Sequence, residues 1–138
     1  MAIVDTFIKG TQPYEIQQGE VGYFSRVIDF SNTTDEEEML YRALPIKAGL
    51  TVLKAGVRII KKSDTSVQAH LGDDDYSLGF FHYEDISSNN NTIFTVAEVN
   101  GYIAGRYYVN DNNIVFQPRS DVSDAVIEIW ALVCKSKG

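Results

Sequence analysis

The sequence predicts an all-β domain, either a sandwich or a barrel, built from about eight strands. Short segments alternate apolar and polar side chains, which is the period of a strand with one buried face. Turn-forming Gly, Pro, Asn and Asp residues recur at intervals of about 8–12 residues, as they do in such folds. With 138 residues and a hydrophobic content of 44%, the chain is long enough for one domain to bury a sizeable core.

The charge balance excludes several classes of partner. Twelve basic and 19 acidic residues give a formal net charge of -7, and such a surface repels phosphate, so we expect no nucleic-acid partner. No apolar run approaches the ~20 residues of a membrane span, and no signal-peptide pattern is present, so we expect a soluble, unprocessed chain without a membrane partner. The single cysteine, Cys134, excludes an internal disulfide framework and a cysteine-based zinc site, and indicates a reducing compartment.

Residues 1–19 are predicted to form an extended N-terminal arm, and residues 20–138 the β domain. The apolar side chains of the arm follow neither strand nor helix periodicity; they are Ile3, Val4, Phe7, Ile8, Tyr14 and Ile16. One interpretation is an irregular segment that lies over its own domain, since termini are loose unless tied down. The other is an arm that docks on a neighbouring subunit and buries more surface there.

The first two predicted strands occupy residues 20–30 and 39–46. Arg26 interrupts the apolar face of the first strand, whose other members are Phe24, Ile28 and Phe30. Pro45 cannot donate to a ladder, so it marks an end or an edge of the second strand. Between the two strands, the polar and acidic residues 32–38 are interpreted as a solvated loop rather than a helical turn.

The longest predicted strand covers residues 50–62, after a turn at residues 47–49. Helix is the competing interpretation, but a central Gly56 and a high content of β-branched residues favour a strand. The face predicted to point inwards carries Leu53, Ala55, Val57 and Ile59. The opposite face carries Lys54, Arg58 and Lys62.

A strand over residues 65–71 is predicted to run into a tight acidic loop. Its apolar side chains are Val67, Ala69 and Leu71, and the chain continues through Gly72 into Asp73, Asp74 and Asp75. Calcium takes six to eight oxygen ligands and the EF-hand spacing is absent, so these aspartates are interpreted as a solvated, self-repelling loop. Glu84 and Asp85 would add ligands only if the loops converged. His70 falls on the polar face and is interpreted as a surface residue.

The second half of the chain contains a predicted hairpin. Residues 93–99 fit a short strand or a helical turn. The aromatic and β-branched residues 101–109 then form the first arm of the hairpin, and the polar cluster at residues 110–113 forms its turn, because Asn and Asp tolerate positive φ. The second arm, residues 114–117, is stopped by Pro118.

The closing strand, residues 125–134, is apolar on both faces. One face carries Ile127, Ile129, Ala131 and Val133, and the other carries Val126, Trp130, Leu132 and Cys134. This pattern indicates a central strand that is covered on both sides, or one whose outer face meets another chain. Trp130 is therefore a candidate interface residue, together with Ile3, Val4, Phe7, Ile8 and Tyr14 of the arm.

No residue pattern indicates catalysis. His70 and His82 are the only histidines, neither has a second ligand at a metal-binding spacing, and no nucleophile elbow is present. We therefore expect neither enzymatic activity nor a catalytic, cofactor or metal site. A carbohydrate-binding interpretation rests on aromatic side chains that would form a stacking platform, although aromatic residues in β proteins mostly fill cores. They are Tyr14, Tyr102, Tyr107 and Tyr108.

Three segments together resemble a family of small virion proteins of tailed bacteriophages. The segments are Leu44–Gly49 with the strand at residues 52–60, residues 67–73 with Gly79 and Phe80, and Gly105–Tyr108 with residues 114–116 and 126–133. They cover residues 40 to 134. The family folds as β-sandwiches of the jelly-roll type, and its members decorate or cement the capsid.

The resemblance implies a non-enzymatic decoration protein that binds the outer capsid surface and stabilises it. Its partner would be the major capsid protein, its state a homo-oligomer, with a trimer favoured, and its location the virion after synthesis in the host cytoplasm. The acidic, cysteine-poor composition agrees with this role, in which the N-terminal segment is the docking arm. The alternative is a carbohydrate- or receptor-binding module of a phage fibre or tail.

Overall fold

The structure, a computed structural model, describes residues 3–5, 20–30, 40–87, 89–95, 102, 104–119, 122 and 124–135. Within these ranges the chain forms ten β-strands and no α-helix. The strands are β1 (Ile3–Asp5), β2 (Val21–Asp29), β3 (Leu40–Ile46), β4 (Leu50–Lys61), β5 (Gln68–Asp73), β6 (Phe81–Asp85), β7 (Ile93–Thr95), β8 (Arg106–Tyr107), β9 (Asn112–Pro118) and β10 (Val126–Lys135). Within the same ranges, no helix has the length and apolar character of a membrane crossing.

The strands form two five-stranded sheets that share one core. The first sheet has the order β1-β3-β9-β5-β6, and the second has the order β2-β10-β4-β7, with β8 also paired to β4. Every pairing is antiparallel except that of β1 with β3. The predicted all-β sandwich is therefore confirmed, because each sheet turns its alternate apolar side chains towards the other.

The chain is organised as one long, folded hairpin. In the first half, β2, β3, β4 and β5 follow one another along the chain, and they pair antiparallel with β10, β9, β7 and β6, which come in the reverse order. Successive pairs along this hairpin alternate between the two sheets. The pairs β2–β10 and β4–β7 lie in the second sheet, and the pairs β3–β9 and β5–β6 lie in the first. The tip of this hairpin is the turn at residues 74–80, between β5 and β6.

The core fills the space between the inner faces of the two sheets. Strand β10 lies between β2 and β4, so its predicted central position is confirmed, whereas its outer side chains are only half-buried. Its inner side chains are fully buried; they are Ile127, Ile129, Ala131 and Val133. At the end of β2, the ring of Phe30 meets Tyr41 edge-on at 5.2 Å and Phe116 at 6.1 Å. These contacts join the second sheet to the first.

The predicted inner face of the longest strand is wrong at Leu53. Val52 pairs with Val133, whereas Lys54 pairs with the preceding residue of β10, Leu132. Leu53 is therefore the extra residue of a β-bulge, and its side chain is 40% exposed while that of Val52 is buried. A bulge shifts the alternation by one residue, which is why a strict period of two placed Leu53 on the wrong side.

The predicted hairpin around residues 110–113 is also wrong. Strand β8 pairs with β4 in the second sheet, whereas β9 lies between β3 and β5 in the first. The polar cluster is a crossover between the sheets, and its polar groups bond elsewhere. For example, the Asp111 carboxylate accepts a hydrogen bond of 2.9 Å from the backbone of Ala48. The sequence pattern predicted that the two strands beside this cluster pair with each other, but each of them pairs with strands that are distant in the sequence.

The beginning of the chain joins the first sheet. Strand β1 pairs in parallel with Leu40–Arg42 of β3. The rest of the predicted arm lies outside the described residues, as do residues 31–39. The division into an arm and a domain stays a prediction.

Pro45 pairs with Asn113 beyond the reach of β1, so its predicted edge position is confirmed. The predicted turn at residues 47–49 is confirmed too, with Gly49 at a φ of 91° that favours glycine.

Candidate functional site

The tip of the long hairpin is built around Asp73, the last residue of β5. Its side chain is fully buried, and its Oδ1 accepts hydrogen bonds of 2.9 and 2.8 Å from the backbone amides of Asp75 and Tyr76. The Asp73 amide in turn donates to the carbonyl of Tyr76 at 3.0 Å. An aspartate at the start of a turn forms such local bonds readily, so the sequence closes this turn by itself.

Three side chains from the segment that contains β8 complete the surroundings of Asp73. Arg106 Nη1 lies 2.8 Å from Oδ2, the Tyr108 hydroxyl donates to Oδ2 at 2.7 Å, and the Tyr102 hydroxyl donates to Oδ1 at 3.2 Å. The guanidinium lies 4.7 and 5.0 Å from the centres of the two tyrosine rings, within the range of a cation–π contact. We call Asp73, Tyr102, Arg106 and Tyr108 the Asp73 cluster.

Burial and nearby charges hold the two phenols and the guanidinium of the Asp73 cluster in one protonation state each. Burial, reinforced by the Asp73 carboxylate, raises the pKa of Tyr102 to about 12. Burial and the hydrogen bond to Asp73 raise the pKa of Tyr108 as well. Burial alone would lower the pKa of Arg106, but the Asp73 carboxylate and the two tyrosines raise it overall. Both phenols therefore stay neutral donors, and the guanidinium stays charged.

The interpretation of the three aspartates as a solvated, self-repelling loop is wrong for Asp73, which is buried; Asp74 and Asp75 are exposed as predicted, but they are paired with cations. Asp74 Oδ1 lies 3.3 Å from Arg42 Nε, and Asp75 Oδ2 lies 2.9 Å from Arg106 Nη2. Two asparagine amides add hydrogen bonds to these carboxylates, Asn112 to Asp75 at 3.0 Å and Asn113 to Asp74 at 2.9 Å. The repulsion is offset by cations and amides that lie more than 30 residues away in the sequence, where no local pattern reveals them.

The tip does not assemble into a metal site with the other acids. Asp85 pairs with Gln68 at the opposite end of β5, about 17 Å from Asp73 at the rise of a strand, and its carboxylate bonds the Ser87 amide at 2.8 Å. Across the part of the chain that the structure describes, no group of three or more His, Cys, Asp or Glu side chains is placed to hold a metal ion. The five donors around Asp73 exceed the roughly four lone-pair positions of a carboxylate. The cluster is a closed structural element.

His70 is buried, with 3% of its surface exposed, so its predicted surface position is wrong. In β5, both faces are covered near the strand end: Leu71 and Asp73 are buried alongside His70. The face that carries His70 continues to Gly72, which lies against the backbone of Tyr76 and Ser77, so the turn covers this end of the face. The side chain of His82 lies outside the described residues.

The predicted stacking platform is wrong too. Tyr108 is only 2% exposed, and it and Tyr102 point their hydroxyls at Asp73. Tyr107 faces the opposite way and is 51% exposed, while Tyr14 lies outside the described residues. Alternation along the segment already places Arg106 and Tyr108 on one face and Tyr107 on the other. That signal could have predicted the grouping of Arg106 and Tyr108, although not their partner.

The outer face of the second sheet carries exposed apolar side chains around the predicted interface residue Trp130. The ring of Trp130 stacks on Tyr23 with 6.2 Å between the centres and 21° between the planes. A shallow groove of about 290 Å³ is lined by Tyr23, Arg58, Ile93, Glu128, Trp130 and Leu132. Tyr23 and Ile93 are more than half exposed. Burial and the nearby Glu128 carboxylate raise the pKa of Tyr23, so its phenol is neutral at physiological pH.

The structure does not bring the predicted interface residues together. Ile3 and Val4 belong to β1 at the edge of the first sheet, whereas Trp130 lies in the centre of the second. Phe7, Ile8 and Tyr14 lie outside the described residues. Sequence reasoning missed the exposed residues around Trp130, because long-range pairing sets the register that places Tyr23 beside β10 and Ile93 beside β4.

No family model and no curated protein matches this sequence. Solved structures do match it. A chain from the capsid of Ralstonia phage GP4 superposes with a TM-score of 0.71 at 7% identity, over 99% of this chain and 100% of that one. A chain from the cyanophage Pam1 capsid asymmetric unit gives a TM-score of 0.64 at 10% identity, over 92% and 93%. A third, from the acidic stable capsid of Helicobacter pylori bacteriophage KHP30, gives 0.62 at 10% identity, over 85% and 89%.

Identities this low establish the fold and no more. The likeness spans 85–99% of this chain and 89–100% of the matching chains. The chain is thus a single-domain, all-β sandwich whose fold is shared with chains found in three phage capsids.

Proposed function

We propose that this protein is a virion structural protein of a bacteriophage, and specifically a decoration or cement protein that binds the outer capsid surface and stabilises it. The observation that carries the proposal is the likeness over 99% of this chain and 100% of a chain from a phage capsid, together with two further capsid chains of the same fold. In this role the protein is not an enzyme. Its partner is the major capsid protein, and its place is the virion after synthesis in the host cytoplasm.

The strand order supports assigning the sandwich to the jelly-roll type. A jelly roll is a long antiparallel hairpin of eight strands wrapped into two sheets with Greek-key connections. The four pairs β2–β10, β3–β9, β4–β7 and β5–β6 have that arrangement, with β1 and β8 as additions. Viral capsids use this architecture repeatedly, so topology and structural likeness agree.

The proposed mechanism is stabilisation by binding. A ligand that binds the assembled shell and not its separated subunits stabilises the shell by about 2.7 kcal/mol per site at 100 times its Kd. The Tyr23–Trp130 surface supports such binding, because exposed aromatic side chains are enriched in protein interfaces. Several copies on one shell, or a homo-oligomer such as a trimer, would strengthen attachment through multivalency.

Capsids that lack the protein test the proposal. The purified protein is added to them, and we expect it to co-sediment and to raise the temperature at which the capsids release their contents. A small acidic protein of unrelated fold serves as the control for non-specific adsorption. The proposal fails if the protein stays in the supernatant and the capsid melting temperature does not change. Binding to host cells or glycans instead would favour the fibre or tail module.

Deleting residues 1–19 tests the proposed docking arm. The deletion also removes β1 from the edge of the first sheet, so circular dichroism and the unfolding midpoint are measured first. We expect the shortened protein to keep its β-type spectrum and to bind capsids more weakly, since an arm adds buried interface area. Unchanged binding by the folded, shortened protein would remove the arm from the mechanism and leave the decoration role in place.

A further inference from the structure

Strand β2 forms one edge of the second sheet and, among the residues that the structure describes, pairs with β10 alone. It is nine residues long, and its register with β10 runs without a shift from Val21 to Asp29. The exposed apolar side chains of Val21, Tyr23 and Val27 follow its outer face. A long, regular and apolar edge strand is a template for pairing with another chain, so β2 is an edge that needs protection.

The odd-numbered residues of β2 turn their backbone groups towards this edge. The Phe30 amide donates to the Ala125 carbonyl at 2.9 Å, and this pair continues the register of β2 with β10. In an antiparallel ladder, pairs that exchange hydrogen bonds alternate with pairs that do not. The even-numbered residues of the strand therefore bond β10, whereas Ser25 and the other odd-numbered residues direct N–H and C=O away from it.

Arg26 interrupts the apolar inner face of β2. It lies between Phe24 and Ile28 on that face, and all three residues are buried, with 6% of Arg26 exposed. No other cation is buried in the part of the chain that the structure describes. A charged side chain that points inwards from an edge strand protects that edge, because an added strand would take the charge further from water. Since β2 contains no proline or lysine, Arg26 is the candidate for this protection.

We propose that Arg26 prevents the edge of β2 from pairing with the same edge of another copy of this chain. An antiparallel pair centred on Ser25 would let the outward N–H and C=O groups of both copies bond each other, with Tyr23 of each copy beside Val27 of the other. The two Arg26 side chains would then lie diagonally across the new pair, about 7–8 Å apart. Both would point to the core side of one continuous sheet, where like charges repel and their desolvation is costly.

This role goes beyond the proposed function and does not depend on it. Burial lowers the pKa of the Arg26 guanidinium, so the charge is kept on the inner face at a cost to the free energy of folding. Protection of the edge gives a physical reason for that cost. Arg26 leaves the outer face of the sheet exposed for binding, and it prevents the sheet of one copy from growing into that of the next.

Replacing Arg26 by Leu tests the proposal, because the change removes the charge and keeps a large apolar side chain. Molar mass is measured by light scattering and sedimentation over a wide range of concentration. We expect Arg26→Leu to form larger species than the wild type, with an association at least about tenfold tighter. Two controls should keep the wild-type state: Arg26→Lys retains the charge, and Lys47→Leu removes a charge at an exposed turn.

A proline at Ser25 distinguishes edge pairing from any other association. Ser25→Pro removes an outward N–H and leaves the ladder with β10 intact, and edge strands tolerate proline at such positions. We expect the double variant Arg26→Leu with Ser25→Pro to return to the wild-type molar mass. The double variant with Ser25→Ala keeps the outward N–H and should stay associated. Aggregation of misfolded chains would show the opposite pattern, because proline would increase it.

The contrary results are equally definite. The proposal is overturned if folded Arg26→Leu keeps the wild-type molar mass, or if its association persists in the presence of Ser25→Pro. A circular dichroism spectrum of an unfolded chain for Arg26→Leu overturns it as well, since Arg26 would then be required for the fold itself. Capsid binding by the wild type tests only the proposed function, so the decoration role and the protection of the β2 edge fail separately.

Discussion

At the scale of single residues, the most constrained side chain is Asp73. Its side chain is buried, and an ionised group is costly to bury unless it is paired. Its partners come both from its own turn and from the distant residues Tyr102, Arg106 and Tyr108. A single carboxylate therefore ties the tip of the long hairpin to the segment that enters β9. Its role is structural, since every lone pair is used within the protein.

Replacing Asp73 by Asn tests this role. The change keeps the shape of the side chain but leaves Arg106 and the two phenols without their anionic acceptor, and we expect the free energy of unfolding to fall by about 3–5 kcal/mol. Urea denaturation measures the loss. The matched control is Asp75→Asn, at a side chain that is 60% exposed, where we expect less than about 1 kcal/mol. Equal losses at the two positions would contradict the account.

The raised pKa of Tyr102 predicts a loss of stability in alkali. An unfolded tyrosine ionises near pH 10, whereas Tyr102 in the fold keeps its proton until about pH 12. Above pH 10 the unfolded state therefore binds fewer protons than the folded state, and stability falls as pH rises towards 12. We expect this part of the pH dependence to disappear in Tyr102→Phe, as measured by urea unfolding between pH 9 and 12. Identical pH dependence in both proteins would refute the assignment.

At the scale of elements, the turn between β5 and β6 is held by packing as well as by charge. The Gly79 amide donates to Tyr76 at 3.0 Å and its carbonyl accepts from Tyr102 at 2.7 Å. A Cβ on Gly79 would lie 2.2 Å from the Tyr102 ring, a distance that real contacts do not allow. The ring cannot withdraw easily because its hydroxyl is bound to Asp73. Glycine is required here by close approach.

We therefore expect Gly79→Ala to destabilise the protein by about 1–3 kcal/mol, the usual cost of overpacking. In a Tyr102→Ala background the same substitution should cost less, because the clashing ring is gone, and the difference is the coupling energy of a double-mutant cycle. Denaturant unfolding of the four proteins measures it. Zero coupling would show that the ring is not what excludes a side chain at Gly79.

At the scale of the whole molecule, the two sheets share a single core. Leu71 of the first sheet and Ile129 of the second are both fully buried in it, and the paired halves of the long hairpin cross between the sheets at each step. Each sheet needs the other to shield the apolar side chains of its inner face from solvent. The fold should therefore unfold as one unit, as small single domains usually do.

Substitutions in the two sheets should shift the same transition. We expect Leu71→Ala and Ile129→Ala each to cost about 2–5 kcal/mol. Trp130 fluorescence, which reports on the second sheet, and far-ultraviolet circular dichroism, which reports on both, should give coincident urea curves in each variant. Curves that separate in one variant would show that its sheet unfolds independently.

The sequence by itself determined the fold class and most strand positions. Period-two alternation encodes a buried face directly, since side chains on a strand point to opposite sides in turn; it predicted the central position of β10 and the turn that ends in Gly49. It failed where alternation is broken or both faces are covered: Leu53 sits in a bulge, and His70 lies in a strand whose two faces both carry buried side chains.

Only the tertiary structure decided which strands pair and what surrounds each charge. The residues around 110–113 form a good turn in isolation, yet the strands on either side belong to different sheets, because burial of the shared core outweighs the local preference. Likewise Asp73 is solvated or buried depending on Arg106 and Tyr108, which lie more than 30 residues away. Contacts between distant segments are set by the packing of the whole chain, so no local window of residues contains them.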